Sequence, residues 1–105
     1  MFGKIFGKKE EMYDMVVYWD YNVNINDLMT DLDILGELMC KPSAFEKGSR
    51  IVTVRNWTID NTNYRVAELY IDKVTEKTIR GLMDNNKFVA VKFTSTDMTR
   101  NGKVI

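Results

Sequence analysis

The chain has 105 residues, 45% of them hydrophobic and 29% charged, with a single proline. This length and composition predict one globular domain with its own core, and they argue against a disordered or low-complexity protein. Formal net charge is zero, which by itself argues against a nucleic-acid-binding protein.

The residues available for chemistry are few. There is no histidine, so the commonest general base and metal ligand is missing. Cys40 is the single cysteine and cannot form an internal disulfide, and no segment approaches the roughly 20 apolar residues of a membrane span. With no signal peptide at the start either, we expect a cytoplasmic, non-catalytic protein without cofactor, metal or membrane association.

Charge is distributed unevenly along the chain. Residues 1–9 carry three bases and no acid, residues 10–40 carry eight acids and no base, and residues 41–105 carry twelve bases and seven acids. Folding can bring these blocks together so that they neutralise each other. The alternative is that the acidic block binds a basic partner.

A strand and a helix are predicted first. From Met12 to Val23 the residues alternate with a period of two, and the odd-numbered face is wholly apolar, which predicts a strand buried on that face. Asn24 and Asn26 can cap the helix that follows and ends before Pro42. Its apolar stripe consists of Leu28, Leu32, Leu35 and Met39.

The second half begins with a loop over residues 43–49 and continues with a hairpin. Two β-branched and aromatic runs, 51–59 and 64–71, flank the turn residues 60–63. Thr75 can cap a second helix with Ile79, Leu82 and Met83 on its inner face, and residues 87–94 predict a final strand. The predicted class is α+β: a ferredoxin-like βαββαβ domain over residues 12–94, with a four-stranded antiparallel sheet and two helices on one face. Residues 1–11 are predicted to be a basic and apolar tail, and residues 95–105 a tail or a short extra strand.

Phasing the strands predicts an aromatic face on the side of the sheet away from the helices. Inward residues are Val52, Val54, Ala67, Leu69, Ile71, Val89, Val91 and Phe93; outward residues include Ile51, Thr53, Arg55, Val66, Glu68, Ala90, Lys92 and the aromatics Tyr18, Trp57, Tyr64, Tyr70 and Phe88. Monomers rarely expose so large an apolar patch. The chain tails (Phe2, Ile5, Phe6, Val104, Ile105), another protein or second copy, or a single-stranded nucleic acid could cover it.

The third possibility rests on a family resemblance. In length, element order and the outward tyrosine of its first strand, the chain resembles an RNA-recognition-motif domain over residues 12–94. That resemblance implies a sheet that stacks single-stranded nucleic acid. The third strand, Tyr64-Arg65-Val66-Ala67-Glu68-Leu69-Tyr70-Ile71, lacks the family's glycine and its paired central aromatics, and Asp14, Asp20 and Glu68 would face the phosphates. Nucleic-acid binding is therefore the alternative function.

The first helix offers a second candidate surface. We predict that Asp27, Asp31, Ile34 and Glu37 point away from the apolar stripe. Like charges four residues apart are mildly unfavourable, by about 0.2–0.5 kcal/mol per pair, so helix stability does not explain them. An acidic helix with one isoleucine is suited to docking on a basic protein surface.

These observations favour a protein-binding module that is also a homodimer. The candidate partner-binding residues are Asp27, Asp31, Ile34 and Glu37 on the helix and Tyr18, Trp57, Tyr64 and Tyr70 on the sheet. A small chain without recognisable motifs and rich in Asn, Lys, Met and Tyr resembles, in general character, the inhibitors that lytic phages make against host proteins.

Overall fold

The computed structural model describes residues 12–95. The predicted tails, 1–11 and 95–105, therefore lie outside the described residues except for Ser95, which ends the last strand. The strands are β1 (Met12–Asp20), β2 (Arg50–Ile59), β3 (Thr62–Asp72) and β4 (Lys92–Ser95), and the helices are α1 (Ile25–Cys40), α2 (Pro42–Glu46) and α3 (Lys73–Asp84). The strands form one antiparallel sheet in the order β2-β3-β1-β4. This confirms an α+β fold with a four-stranded antiparallel sheet. Within residues 12–95 there are three helices rather than two, so the predicted element order is not matched in full.

The limits of α1 follow from its terminal residues. The Asn24 side chain accepts hydrogen bonds from the amides of Asn26 and Asp27, as expected of a cap. The helix ends at Cys40, and Pro42 then begins α2. The prediction of a loop over residues 43–49 is therefore wrong for residues 43–46, which belong to α2. Proline is favourable in the first turn of a helix as well as after the end of one, so Pro42 alone does not distinguish the two.

A two-residue turn joins β2 to β3. Asp60 and Asn61 both have positive φ, 51° and 66°, and Ile59 pairs with Thr62. Two consecutive positive φ angles define a type I′ turn, whose twist matches that of the strands it joins. The predicted hairpin is confirmed, with a shorter turn.

A β-bulge in β2 changes which side chains face the helices. Ile51 pairs with Leu69 and Thr53 with Glu68, so Val52 is the additional residue. Ile51 consequently packs against the core, and the prediction that it points outward is wrong. Val52 and Val54, predicted inward, are both exposed. Val54 nevertheless pairs with the inward residue Ala67 and so keeps its predicted side, at an edge of the sheet that the helices leave exposed.

The start of α3 differs slightly from the prediction. Asp72, not Thr75, is the cap: its carboxylate accepts a hydrogen bond from the Thr75 amide at 2.9 Å. The other carboxylate oxygen of Asp72 lies 3.0 Å from Nζ of Lys47. This ion pair joins the start of α3 to the segment between α2 and β2.

The last strand is shorter than predicted. Residues 88–90 do not pair with a strand, because the Val89 and Ala90 amides donate to the Asp31 carboxylate instead. The Val91 amide donates to the Tyr18 carbonyl of β1 at 2.8 Å, directly before β4 begins. Phe88 is buried in the core and Ala90 packs against it, whereas Val89 and Val91 are exposed. All four residues are therefore opposite to their predicted sides, and Phe88 is not part of an outward aromatic face.

The main core lies between the sheet and the helices. It joins the odd-numbered residues of β1 to the apolar stripe of α1 and to Ile79 of α3, and we call it the helix-side cluster: Met15, Val17, Trp19, Leu28, Leu35, Met39, Ala67, Leu69, Ile71, Ile79, Phe88 and Phe93. Fully burying one large apolar side chain contributes about 1.5–3 kcal/mol. The predicted inner faces of β1, α1 and α3 are confirmed.

Candidate interaction surfaces

One row of side chains runs along the exposed side of α1. Ile25, Met29, Asp33 and Glu37 follow at intervals of four residues, which places them one above the other on the helix. All four are exposed, Ile25 by 59% and Met29 by 49%. We call them the α1 row.

The acids of the α1 row do not stabilise the helix. Asp33 and Glu37 are like charges four residues apart, which repel each other. Glu37 also lies in the last turn, where the helix dipole disfavours negative charge and no basic residue is present. No acid of α1 takes part in an ion pair between described residues. Those pairs are Lys47–Asp72, Arg55–Glu68 and Arg80–Glu76. The α1 row is therefore acidic at one end, apolar at the other, and unpaired within residues 12–95.

Two of the predicted docking residues on α1 are not on this exposed side. Asp31 is buried, and its Oδ2 accepts hydrogen bonds from Trp19 Nε1 at 2.8 Å and from the Val89 and Ala90 amides at 3.0 and 3.1 Å. Ile34 is half-buried and packs against the helix-side cluster. The prediction that both point into solvent is wrong, whereas Asp27 and Glu37 are exposed as expected.

The sequence contains a signal for the burial of Asp31 that its charge obscures. Asp31 is three residues after Leu28 and four before Leu35, so it lies within the apolar stripe of the helix. A carboxylate in that position has to find hydrogen-bond donors across the core. Trp19, on the inward face of β1, supplies one of them.

The face of the sheet away from the helix-side cluster carries a second buried group, the far-side cluster. It consists of Val16, Tyr18, Ile59 and Val66, with Trp57 and Tyr64 packed against them. The rings of Tyr18 and Tyr64 meet edge to face, with centroids 5.5 Å apart. Tyr18 therefore lies on the predicted side of the sheet, but its side chain is 0% exposed and not accessible as expected.

The other predicted aromatics of this face are half-buried and border two arginines. Arg55 lies 4.5 Å from the centre of the Trp57 ring and is paired with Glu68, and Arg50 lies 4.9 Å from that of Tyr70. Each guanidinium thus covers one aromatic ring. The side chains of Trp57, Tyr64 and Tyr70 remain partly accessible. In the middle of the face, Val16, Tyr18 and Val66 are fully buried.

No arrangement typical of an active site was found among the described residues. Within residues 12–95 no group of three acidic, cysteine or histidine side chains is placed to hold a metal ion. An open pocket between α3 and β4 is lined by Arg80, Met83, Asp84 and Phe93. The Arg80 guanidinium in this pocket is already paired with Glu76 and stacked on the Phe93 ring.

Among the described residues, Asp72 is the ionisable group whose pKa is most clearly changed by its surroundings. Burial by itself raises the pKa of Asp72, but the hydrogen bonds from Thr75 and Lys47 outweigh burial and lower the pKa from 3.8 to about 2. A carboxylate held ionised in a cap and an ion pair is stabilising rather than catalytic.

Among the helices of residues 12–95, none is both long and apolar enough to cross a membrane.

Comparison with protein-family models, with curated proteins and with solved structures finds no match to this chain. The surfaces described above are therefore the basis for the function proposed below.

Proposed function

We propose that the protein is a non-catalytic binding module that docks on a basic protein surface through the α1 row. The observation that carries this proposal is the row itself: two exposed apolar side chains followed by two acids that form no ion pair within residues 12–95. Interfaces commonly combine an apolar centre with charged groups that steer the partner. The chemistry that complements the row is a basic surface with an apolar depression.

The fold is suited to such a role because it holds α1 rigidly. The Leu28, Leu35 and Met39 side chains bury one side of the helix against the sheet, and Asp31 ties it to β1. The opposite side is thus presented in one fixed orientation, which lowers the entropic cost of binding. We regard the architecture as a ferredoxin-like domain with the short helix α2 added, which the strand order β2-β3-β1-β4 supports.

The biological setting is part of the same proposal. A small acidic docking helix on a compact domain is what an inhibitor of the phage type needs in order to occupy a basic site on a host protein. A cytoplasmic location fits the exposed Cys40, since thiols stay reduced there.

Single-stranded nucleic acid is the alternative ligand, and the geometry favours it less. The Tyr18 ring is fully buried, and the nearby Trp57 and Tyr70 rings each carry an arginine. A base that stacked on either ring would have to compete with that guanidinium. Binding of a mixed-sequence single strand that weakens steeply with added salt would reverse this ranking.

The test compares two double charge reversals. Asp33→Lys with Glu37→Lys changes the α1 row, while Asp14→Lys with Asp84→Lys makes the same charge change at exposed acids elsewhere. With bacterial lysate as the source of partners, the wild type and the control variant should retain a common protein that the α1 variant loses. Circular dichroism should show that both variants fold.

If the α1 variant retains every protein that the control retains, the acids are merely solvated and the proposal is wrong. If only the control variant loses the partner, the binding site lies away from α1.

A further inference from the structure

Strand β2 forms one edge of the described sheet. Natural edge strands are protected from pairing with another chain by lysine, proline, inward charges or a β-bulge. β2 has a bulge at Val52, but residues 53–59 beyond it pair regularly with β3. β2 contains no proline and no lysine, and its Arg55 is engaged with Glu68. The apolar side chains of Val52 and Val54 are 50% and 46% exposed at this edge.

The hairpin determines which backbone groups of β2 face outward. A two-residue turn of this type closes on a hydrogen-bonded pair, here Ile59 and Thr62. Going back along β2, every second residue therefore bonds to β3. The intervening residues, Thr58, Asn56 and Val54, direct their amides and carbonyls away from β3.

The bulge limits the regular part of this edge. Because Val52 interrupts the pairing with β3, regular geometry extends over residues 53–59 only. The middle residue of that segment is Asn56, whose backbone groups point outward. A two-fold axis at Asn56 thus makes full use of the segment from both sides.

We propose that a second copy of this chain pairs with β2, antiparallel and with the two-fold axis at Asn56, to form a homodimer with one continuous eight-stranded sheet. The proposal does not depend on the α1 row, which lies on a different element.

The side chains are compatible in this register. Val54 of one copy lies opposite Thr58 of the other, so apolar meets β-branched surface. Arg55 lies opposite Trp57 of the second copy, which extends across the interface the stacking already present within one chain at 4.5 Å. Moving the two-fold axis from Asn56 to Arg55, a slide of two residues between the strands, would place Arg55 opposite Arg55, where like charges repel.

An unrelated extended peptide could use the same outward backbone groups, and charge tests can separate the two cases. Val54→Lys with Thr58→Lys places like charges opposite each other twice in the dimer. Val54→Lys with Thr58→Glu places opposite charges there instead. Within one chain the two positions are four residues apart along a strand, roughly 13 Å, so they do not pair with each other.

The experiment is sedimentation equilibrium on the three purified proteins from low to high micromolar concentration. We expect a dimer for the wild type, a dissociation constant weaker by about tenfold or more for the double-lysine variant, and recovery for the lysine–glutamate variant. Both variants lose the hydrogen bond from the Thr58 hydroxyl to Asn63, so their thermal midpoints should change alike.

A monomeric wild type overturns the proposal. So does a dimer that all three proteins share, because the interface then lies elsewhere. Loss of the dimer in both variants without recovery overturns the proposed register.

Discussion

Asp31 connects three parts of the fold through one carboxylate. Its Oδ2 accepts from Trp19 on β1 and from two amides of the segment before β4. The segment over residues 88–91 is held beside α1 in this way, which buries Phe88 in the helix-side cluster. A polar side chain therefore determines where an apolar one packs.

We predict that Asp31→Ala lowers the free energy of unfolding by about 3 kcal/mol, because three donors lose their acceptor in a buried site. The matched control is Asp33→Ala, two residues further along α1, where the carboxylate is exposed. That change should stay within about 0.5 kcal/mol of the wild type. Urea unfolding followed by circular dichroism measures both.

Equal effects of the two alanine substitutions would show that the Asp31 hydrogen bonds do not stabilise the fold. An intermediate loss for Asp31→Asn is expected, since the amide oxygen can still accept from the same donors.

Among the elements, the hairpin turn places two consecutive non-glycine residues, Asp60 and Asn61, at positive φ. Asn61 has a φ of 66°, which asparagine tolerates better than most residues and glycine adopts without strain. We predict that Asn61→Gly raises the free energy of unfolding by about 0.5 kcal/mol, because Asp-Gly suits a type I′ turn. Thermal unfolding monitored by circular dichroism is the measurement.

The control is the same substitution two residues later, at Asn63 within β3. There glycine should lower stability by about 0.5–1 kcal/mol or more, since it loosens an extended residue and removes the acceptor of the Thr58 hydroxyl. If the two glycines act in the same direction, the turn conformation is not what limits stability at Asn61.

Elements whose signals are local could be predicted from the sequence. The Asn24 cap, the stripe of α1 and the hairpin each depend on residues close together in the chain. The bulge at Val52 and the end of β4 could not be predicted. The first leaves no mark in the alternation of a strand that is β-branched throughout, and the second depends on the long-range bonds of Asp31 to Val89 and Ala90.

The candidate surfaces follow the same division. The acidity of α1 is evident in the sequence, but which of its acids are accessible depends on Asp31 lying in the core. The far-side aromatics Tyr18, Trp57 and Tyr64 were assigned to one face correctly. Their exposure could not be inferred, because the alternation within a strand indicates a face but not what lies against it.

At the scale of the whole molecule, Asp72 links the two halves of the chain and makes the free energy of unfolding depend on pH. It caps α3 and pairs with Lys47 at 3.0 Å, and its pKa in the fold, about 2, is below the ordinary value of 3.8. Folding therefore favours the ionised form. A lowered pKa contributes stability above the ordinary value, and that contribution is lost as the pH falls towards 2.

We predict that Asp72→Asn, which keeps a good cap but removes the charge, is less stable than the wild type by about 2 kcal/mol at neutral pH. The difference should remain constant down to about pH 5 and shrink between pH 4 and 2, as the wild-type carboxyl is protonated. Urea unfolding of both proteins at a series of pH values measures the difference. A gap that stays constant down to pH 2 would show that the pKa of Asp72 is not lowered, and that asparagine is simply the poorer cap at this position.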